Sequence, residues 1–177
     1  MPVFRRFALS LALCALMAAC QTTDTARVSE DHDWGIPVTT EYRDADFHAP
    51  TPTSVPGATV ISTEKLAAAL EEETPPLLID VLGGDGHNTI PGAVWLKGAG
   101  WEGTSDARLD AKLAELTNGD KFRDTVFFCL GPRCWLSYNA AMRASRLGYV
   151  NTYWYRGGVN GWEASGRQLV PATRAEW

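Results

Sequence analysis

From Gly57 onward the sequence alternates short, uninterrupted apolar runs with stretches whose apolar residues recur every three or four positions. A strand that is apolar on both faces has both faces covered, and a strand followed by a helix returns to the sheet parallel to its neighbour. Five such strands are predicted: Ala58–Ile61, Leu77–Val81, Ala93–Leu96, Thr125–Cys129 and Thr152–Tyr155. Three helices are predicted between them. The first covers Thr63–Glu72, with Thr63 as cap, Leu66 and Leu70 four apart, and Pro75-Pro76 as the stop. The second carries Leu109, Leu113 and Leu116 and ends near Asn118-Gly119. The third carries Leu136, Ala140, Ala144 and Leu147 and ends at Gly148. The expected class is α/β, a five-stranded, mainly parallel sheet with helices on both faces. Ligands in such sheets sit beyond the C-terminal strand ends. That places Asp80 and Cys129 at the candidate site.

The first nineteen residues read as a lipoprotein signal peptide. Arg5 and Arg6 provide a positive start, Phe7–Met17 is an apolar run too short to span a bilayer, and Ala18-Ala19 precede Cys20. Small residues directly before Cys resemble a bacterial lipoprotein signal, which implies acylation at Cys20. Gln21 after it favours the outer membrane, on the periplasmic side. Export would remove Arg5 and Arg6, so the net charge of −5 becomes −7. The membrane would therefore be held through the lipid anchor rather than through charge. No basic stripe is present, and nucleic acid is not an expected partner.

Residues 20–56 read as a tether and lead-in segment, polar and Pro-rich near its end, with Trp34, Tyr42 and Phe47 suggesting that part of it packs on the domain. The domain itself is expected over 57–172, with 173–177 as a tail. Cys14 departs with the signal and Cys20 carries lipid. Of the four cysteines, Cys129 and Cys134 remain, in a compartment that permits disulfides.

These two flank Cys129-Leu130-Gly131-Pro132-Arg133-Cys134-Trp135, a strand end, a short loop and a helix start. Loop N–H groups and the positive end of the helix dipole favour an anion there. Arg133 adds a cation, and both effects raise the thiolate fraction of Cys129. Pro132 removes one N–H donor from the cradle. Leu130, Gly131 and Trp135 are the expected substrate-binding positions. A structural disulfide or a buried inert cysteine is the plainer alternative.

The strand-loop-helix segment, together with Leu77-Leu78-Ile79-Asp80-Val81, Ile90-Pro91-Gly92-Ala93, Gly148-Tyr149, Gly157-Gly158 and Gly161-Trp162, resembles the rhodanese family over residues 57–171. The resemblance implies a rhodanese-like fold, with Cys129 opening a six-residue active-site loop. A narrower similarity runs through Phe127-Phe128-Cys129, Cys134-Trp135, Asn139-Ala140-Ala141 and Tyr153-Trp154-Tyr155. It is to exported rhodanese-like proteins associated with PQQ-dependent alcohol oxidation, which carry a two-cysteine motif ending in Trp. Some family features differ here. Leu82 stands where sulfurtransferases usually carry Arg, Gly131 is third rather than fourth in the loop, and Cys134 replaces a small or hydroxylated residue. Phosphatases of the same fold have a longer loop ending in Arg and a His before the Cys. Phe128 and the short spacing to Arg133 argue against that reading.

Three functions follow from these residues. In sulfur transfer, Cys129 attacks thiosulfate or a persulfide and carries the sulfur, and Arg133 steers the anionic donor. In thiol–disulfide chemistry, Cys134 folds back on Cys129. As a binding module, the domain serves a periplasmic redox protein through a surface containing Trp34, Trp101 and Trp135. Asp80 either orients the loop, acts as a base, or caps nearby N–H groups. His87 is expected at the loop surface and Arg156 at the protein surface, while Gly157, Gly158 and Gly161 are read as turn-makers. The histidines and cysteines lack metal-ligand spacing and no nucleotide fingerprint appears, so neither metal nor cofactor is expected.

Overall fold

A computed structural model describes residues 28–177. The expected signal peptide and Cys20 lie outside the described residues. The elements are β1 (Thr59–Val60), α1 (Thr63–Leu70), β2 (Leu77–Asp80), β3 (Asn88–Thr89), β4 (Val94–Trp95), α2 (Asp106–Thr117), β5 (Thr125–Phe128), α3 (Trp135–Arg146), β6 (Thr152–Tyr155), α4 (Gly158–Ala164) and β7 (Val170–Pro171).

Five strands form one sheet in the order β1-β6-β5-β2-β4, and every pairing in it is parallel. The five predicted strands are these five, four of them with shorter bounds and Thr152–Tyr155 with the same ones. Side chains of a strand alternate between faces, and the alternation sorts the core into two layers. Ile79, Phe127 and Trp154 face α2 and α3, together with Leu109, Leu113, Leu136 and Ala140. Leu78, Val126, Phe128 and Tyr155 face the other way, toward Leu66 of α1 and Val159 and Trp162 of α4. Both faces are thus covered by helices.

The helix caps differ from expectation in one place. Ser62, not Thr63, caps α1, its hydroxyl accepting from the Lys65 N–H. Thr63 is the first helical residue, and its hydroxyl bonds to Glu30 and Tyr155 instead. Asn118 ends α2 in the left-handed conformation at φ 53°, as its place in the sequence suggests. Two features were not predicted: α4, read as a turn, and the antiparallel pair β3–β7. At two residues a strand, β3 and β7 carry no usable periodicity.

Residues 28–56 lie against the domain as a strap. Ile36, Tyr42, Phe47 and Ala49 pack on the α3 side of the core. The terminal segment is also fixed, Ala175 donating its N–H to the Trp95 carbonyl at the sheet edge.

Helix α3 is the element these parts converge on. Every residue from Trp135 to Ala144 is buried, so the helix is enclosed beyond the single face that its apolar period predicts. Gly100 permits this closeness. A Cβ there would meet the α3 backbone at the Leu136 carbonyl, 2.6 Å from its carbon. Helix backbone cannot yield as a side-chain tip can. Gly100→Ala is therefore expected to lower unfolding stability by about 1–3 kcal/mol, measured by urea denaturation. Gly103→Ala, where a Cβ meets nothing within 4 Å, is the control expected to change little.

Candidate functional site

β5 delivers Cys129 to the C-terminal edge of the sheet. The chain then turns through Leu130–Arg133 and enters α3 at Trp135. Cys129 continues the parity of Phe127 and faces the α3 layer. The turn is closed by the Cys134 N–H donating to the Gly131 carbonyl at 3.0 Å. Its outer side rests on α4, where the Val159 and Asn160 N–H groups donate to the Cys129 and Leu130 carbonyls, each at 2.9 Å. Gly158, at φ 58°, lets α4 approach, since a Cβ there would meet the Cys129 carbonyl and come within 2.7 Å of Gly131 N. Gly158 is more than a turn-maker, because it seats the loop.

The Cys129 and Cys134 sulfurs are at bonding distance as a disulfide, with Cα atoms 6.4 Å apart, inside the usual span of roughly 4.4–6.8 Å. The pair is enclosed, with Cys129 1% and Cys134 0% exposed. Two polar atoms lie against Cys129 Sγ among the described residues: the Ser137 hydroxyl at 3.2 Å and the Cys134 carbonyl oxygen at 3.4 Å.

The strap covers this loop. The Phe47 carbonyl accepts the Trp135 N–H at 2.8 Å, and the Pro50 carbonyl accepts the Trp135 indole N–H at 3.0 Å. Thr51 donates both its N–H and its hydroxyl to the Pro132 carbonyl, at 3.2 and 2.7 Å. Arg156 anchors Thr51 in turn, donating to its hydroxyl at 3.1 Å and its carbonyl at 3.0 Å, and also to the Glu30 carbonyl. Its guanidinium lies 5.2 Å from the centre of the Trp34 ring. Burial pulls the Arg156 pKa down, opposed by Asp33, Asp31 and Glu30 nearby. Further along, burial pushes the Tyr138 phenol up, opposed by its hydrogen bonding with the Thr39 backbone.

Several expected site residues are placed differently from the sequence reading. The anion cradle is reduced, because the Cys134 and Trp135 N–H groups already have carbonyl partners and Pro132 has no N–H. Asp80 is not brought to the sulfurs. It shares the parity of Leu78 and lies on the opposite layer, where its carboxylate meets His87 Nε2 at 2.6 Å, accepts the Thr89 hydroxyl and accepts the Leu82 N–H at 2.9 Å. That is the strand-end cap with two further partners. His87 is not a surface residue: its side chain is 13% exposed and meets the Trp95 ring edge-on. Arg156 is likewise not a surface residue but a buried anchor, 2% exposed. Trp135 is buried, so it cannot share a recognition surface with Trp101, which is 45% exposed. Arg133 and Leu130 are exposed and Gly131 is buried. Sequence reading missed Ser137 and Thr51, which contact Cys129 and Pro132, and the Trp154 indole, which donates to Ser137. Only Ser137, one helical turn from Cys134, had a local signal.

A family profile for the rhodanese-like domain matches residues 62–165. The chain belongs to that family. The match spans all the secondary structure from α1 to α4 and includes the Cys129–Cys134 loop. No curated protein matches the chain. Among solved structures, thiosulfate sulfurtransferase from Pseudomonas aeruginosa is similar at a TM-score of 0.48 and 21% identity over 66% of this chain and 21% of its own. This rhodanese-like chain thus spans about a fifth of that protein's length. The As-Sb reductase from Leishmania major is similar at a TM-score of 0.47 and 18% identity, over 64% of this chain and 92% of its own. The polysulfide-sulfur transferase homodimer from Wolinella succinogenes is similar at 0.46 and 17%, over 64% and 79%.

The enclosure predicts slow exchange with solvent thiols. Thr51→Val removes the hydroxyl that links Pro132 to Arg156. Losing hydrogen bonds at a buried site of this kind is expected to speed reduction of Cys129–Cys134 by glutathione about tenfold. The check is mass spectrometry of quenched samples, with unfolding curves confirming that the variant remains folded.

Proposed function

We propose that this rhodanese-like protein handles sulfane sulfur through a persulfide on Cys129. The observation that carries the reading is the position of Cys129: at the C-terminal end of β5, opening a six-residue loop into the N-terminus of α3, in a rhodanese-like domain. The dipole of α3 and the exposed cation of Arg133 favour an anionic donor at this end of the sheet. Thiosulfate and small persulfides are the donor class.

The chemistry begins from the reduced pair. Cys129 thiolate attacks the outer sulfur of thiosulfate, the S–S bond of thiosulfate breaks, and sulfite leaves with the electron pair. Cys129 then holds a persulfide. An acceptor thiol takes the outer sulfur and returns Cys129 as a thiolate.

The bonded pair favours a second reading, in which thiol–disulfide chemistry completes the cycle. Cys134 thiolate attacks Cys129 Sγ, the persulfide S–S bond breaks, hydrosulfide leaves, and the Cys129–Cys134 disulfide forms. Two electrons from an external dithiol are then needed for each turnover. This need is what supports a periplasmic redox protein as partner.

The setting is part of the proposal. The leader ending in Ala18-Ala19-Cys20 supports export and a lipid anchor on the periplasmic side, with Gln21 favouring the outer membrane. The Cys134-Trp135 pair and the Tyr153-Trp154-Tyr155 strand support an accessory role in PQQ-dependent alcohol oxidation.

Intact-mass analysis after reduction and then thiosulfate tests both readings. The Cys134→Ala variant is expected to gain one sulfur atom at Cys129 and keep it. Wild type is expected to release about one equivalent of sulfide and return to the disulfide. A Cys134→Ala protein that gains no sulfur from thiosulfate or from a persulfide donor sinks sulfur transfer. Wild type that holds the persulfide without releasing sulfide removes Cys134 from the cycle.

A further inference from the structure

The sulfur of Cys129 sits where a thiolate is costly. Cys129 as a residue is 1% exposed, and burial of this kind favours the neutral thiol. The donors that a loop of this design usually offers are largely committed, since the Cys134 N–H goes to Gly131 and the Trp135 N–H to Phe47. The Cys134 carbonyl, 3.4 Å from Cys129 Sγ, is an acceptor. It can only accept a hydrogen bond from a thiol S–H, so it favours the neutral form and opposes ionisation.

Ser137 is the opposite case. Its Oγ lies 3.2 Å from Cys129 Sγ and 3.3 Å from the Cys134 carbonyl. It also accepts the Trp154 indole N–H at 2.9 Å. Trp154 is fully buried on β6 and holds that donor in place. With one lone pair occupied by the indole, the hydroxyl hydrogen is free to choose between two neighbours. Toward the disulfide the better acceptor is the Cys134 carbonyl. Toward a thiolate the better acceptor is the charged sulfur, since hydrogen bonds to ionised groups are roughly twice as strong as neutral ones. One small rotation of the hydroxyl serves both states.

We propose that Ser137, held by Trp154, is the side-chain donor that stabilises Cys129 as a thiolate once a dithiol or phosphine has reduced the disulfide by two electrons. Ser137 thus touches the reacting atom and makes Cys129, rather than Cys134, the nucleophile of the pair. Its role in sulfur transfer rests on the reading proposed above, while its effect on the thiolate does not. Nothing in the apolar period of α3 marks Ser137, which lies on the third residue of the helix, where the dipole also favours negative charge.

The test uses the full chain reduced with a phosphine. Iodoacetamide labelling is followed at Cys129 alone, peptide by peptide, as a function of pH. Ser137→Ala is expected to move the labelling midpoint upward by about one pH unit, equivalent to a tenfold loss of thiolate below the midpoint. Ser137→Thr, which keeps the hydroxyl, is expected to restore the wild-type midpoint. Trp154→Phe, which keeps a ring but loses the indole donor, is expected to move it upward by less. A purely structural role would scale the labelling rate at every pH and leave the midpoint in place. An unmoved midpoint in Ser137→Ala, or an equal shift in Ser137→Thr, overturns the proposal. A wild type that takes up no sulfur overturns sulfur transfer alone, because the midpoint is read without any donor.

Discussion

Helix α3 buries polar side chains that have no access to water, and much of the molecule is arranged to satisfy them. Tyr138, Asn139 and Arg143 are all at most 1% exposed. An unpaired polar group at such a depth costs roughly 1–3 kcal/mol, and a charged one more. Tyr138 donates to the Thr39 carbonyl at 2.7 Å. Asn139 donates to the Arg43 and Gly100 carbonyls and accepts the Arg43 N–H. Arg143 donates to the Ala99, Trp101 and Glu102 carbonyls, and its Nε lies 2.9 Å from Asp106 Oδ1. The partners of these three side chains therefore come from the strap, from the loop before α2 and from Asp106 at the start of α2. The strap and that loop have little regular structure of their own. They are held because α3 needs their carbonyls.

That dependence reaches the sulfur site. The strap that satisfies Tyr138 and Asn139 continues to Phe47, Pro50 and Thr51, which close over Pro132 and Trp135. Arg156, from the turn after β6, fastens the same stretch from the other side. The N-terminus of α3 is therefore capped by backbone of the strap, and the cysteine pair lies beneath it. A loop that in isolation would offer its N–H groups to an anion offers fewer of them here.

The opposite layer shows how a residue can be correctly located along the chain and still lie away from the chemistry. Asp80 does sit at a C-terminal strand end. Its register with Phe128 rather than with Phe127 turns its side chain toward α1 and α4. There it ties His87, Thr89 and the Leu82 N–H together and supports the β3–β7 corner. Strand ends mark an edge of the sheet, while parity decides the face, and the two must agree before a residue can act on Cys129.

The five parallel strands were legible because each is a continuous apolar run bounded by turn residues, a local property of the chain. The helices between them were legible from their period, and the strand-loop-helix junction at Cys129 from Cys129, Gly131, Pro132 and Cys134 in order. Those features depend on residues close in sequence, so the sequence by itself determined the α/β class, the family resemblance and which two cysteines share the loop. What only the tertiary structure decided involves partners about 17 to 126 residues apart. These are the strap over the loop, Arg156 as an anchor, Trp154 holding Ser137, and the choice of face for Asp80. Hydrogen bonds between distant segments leave no periodic trace in either segment, because each side chain's partner is a backbone or hydroxyl group that many sequences could supply. The pairing exists only once the sheet has set which edges and faces meet.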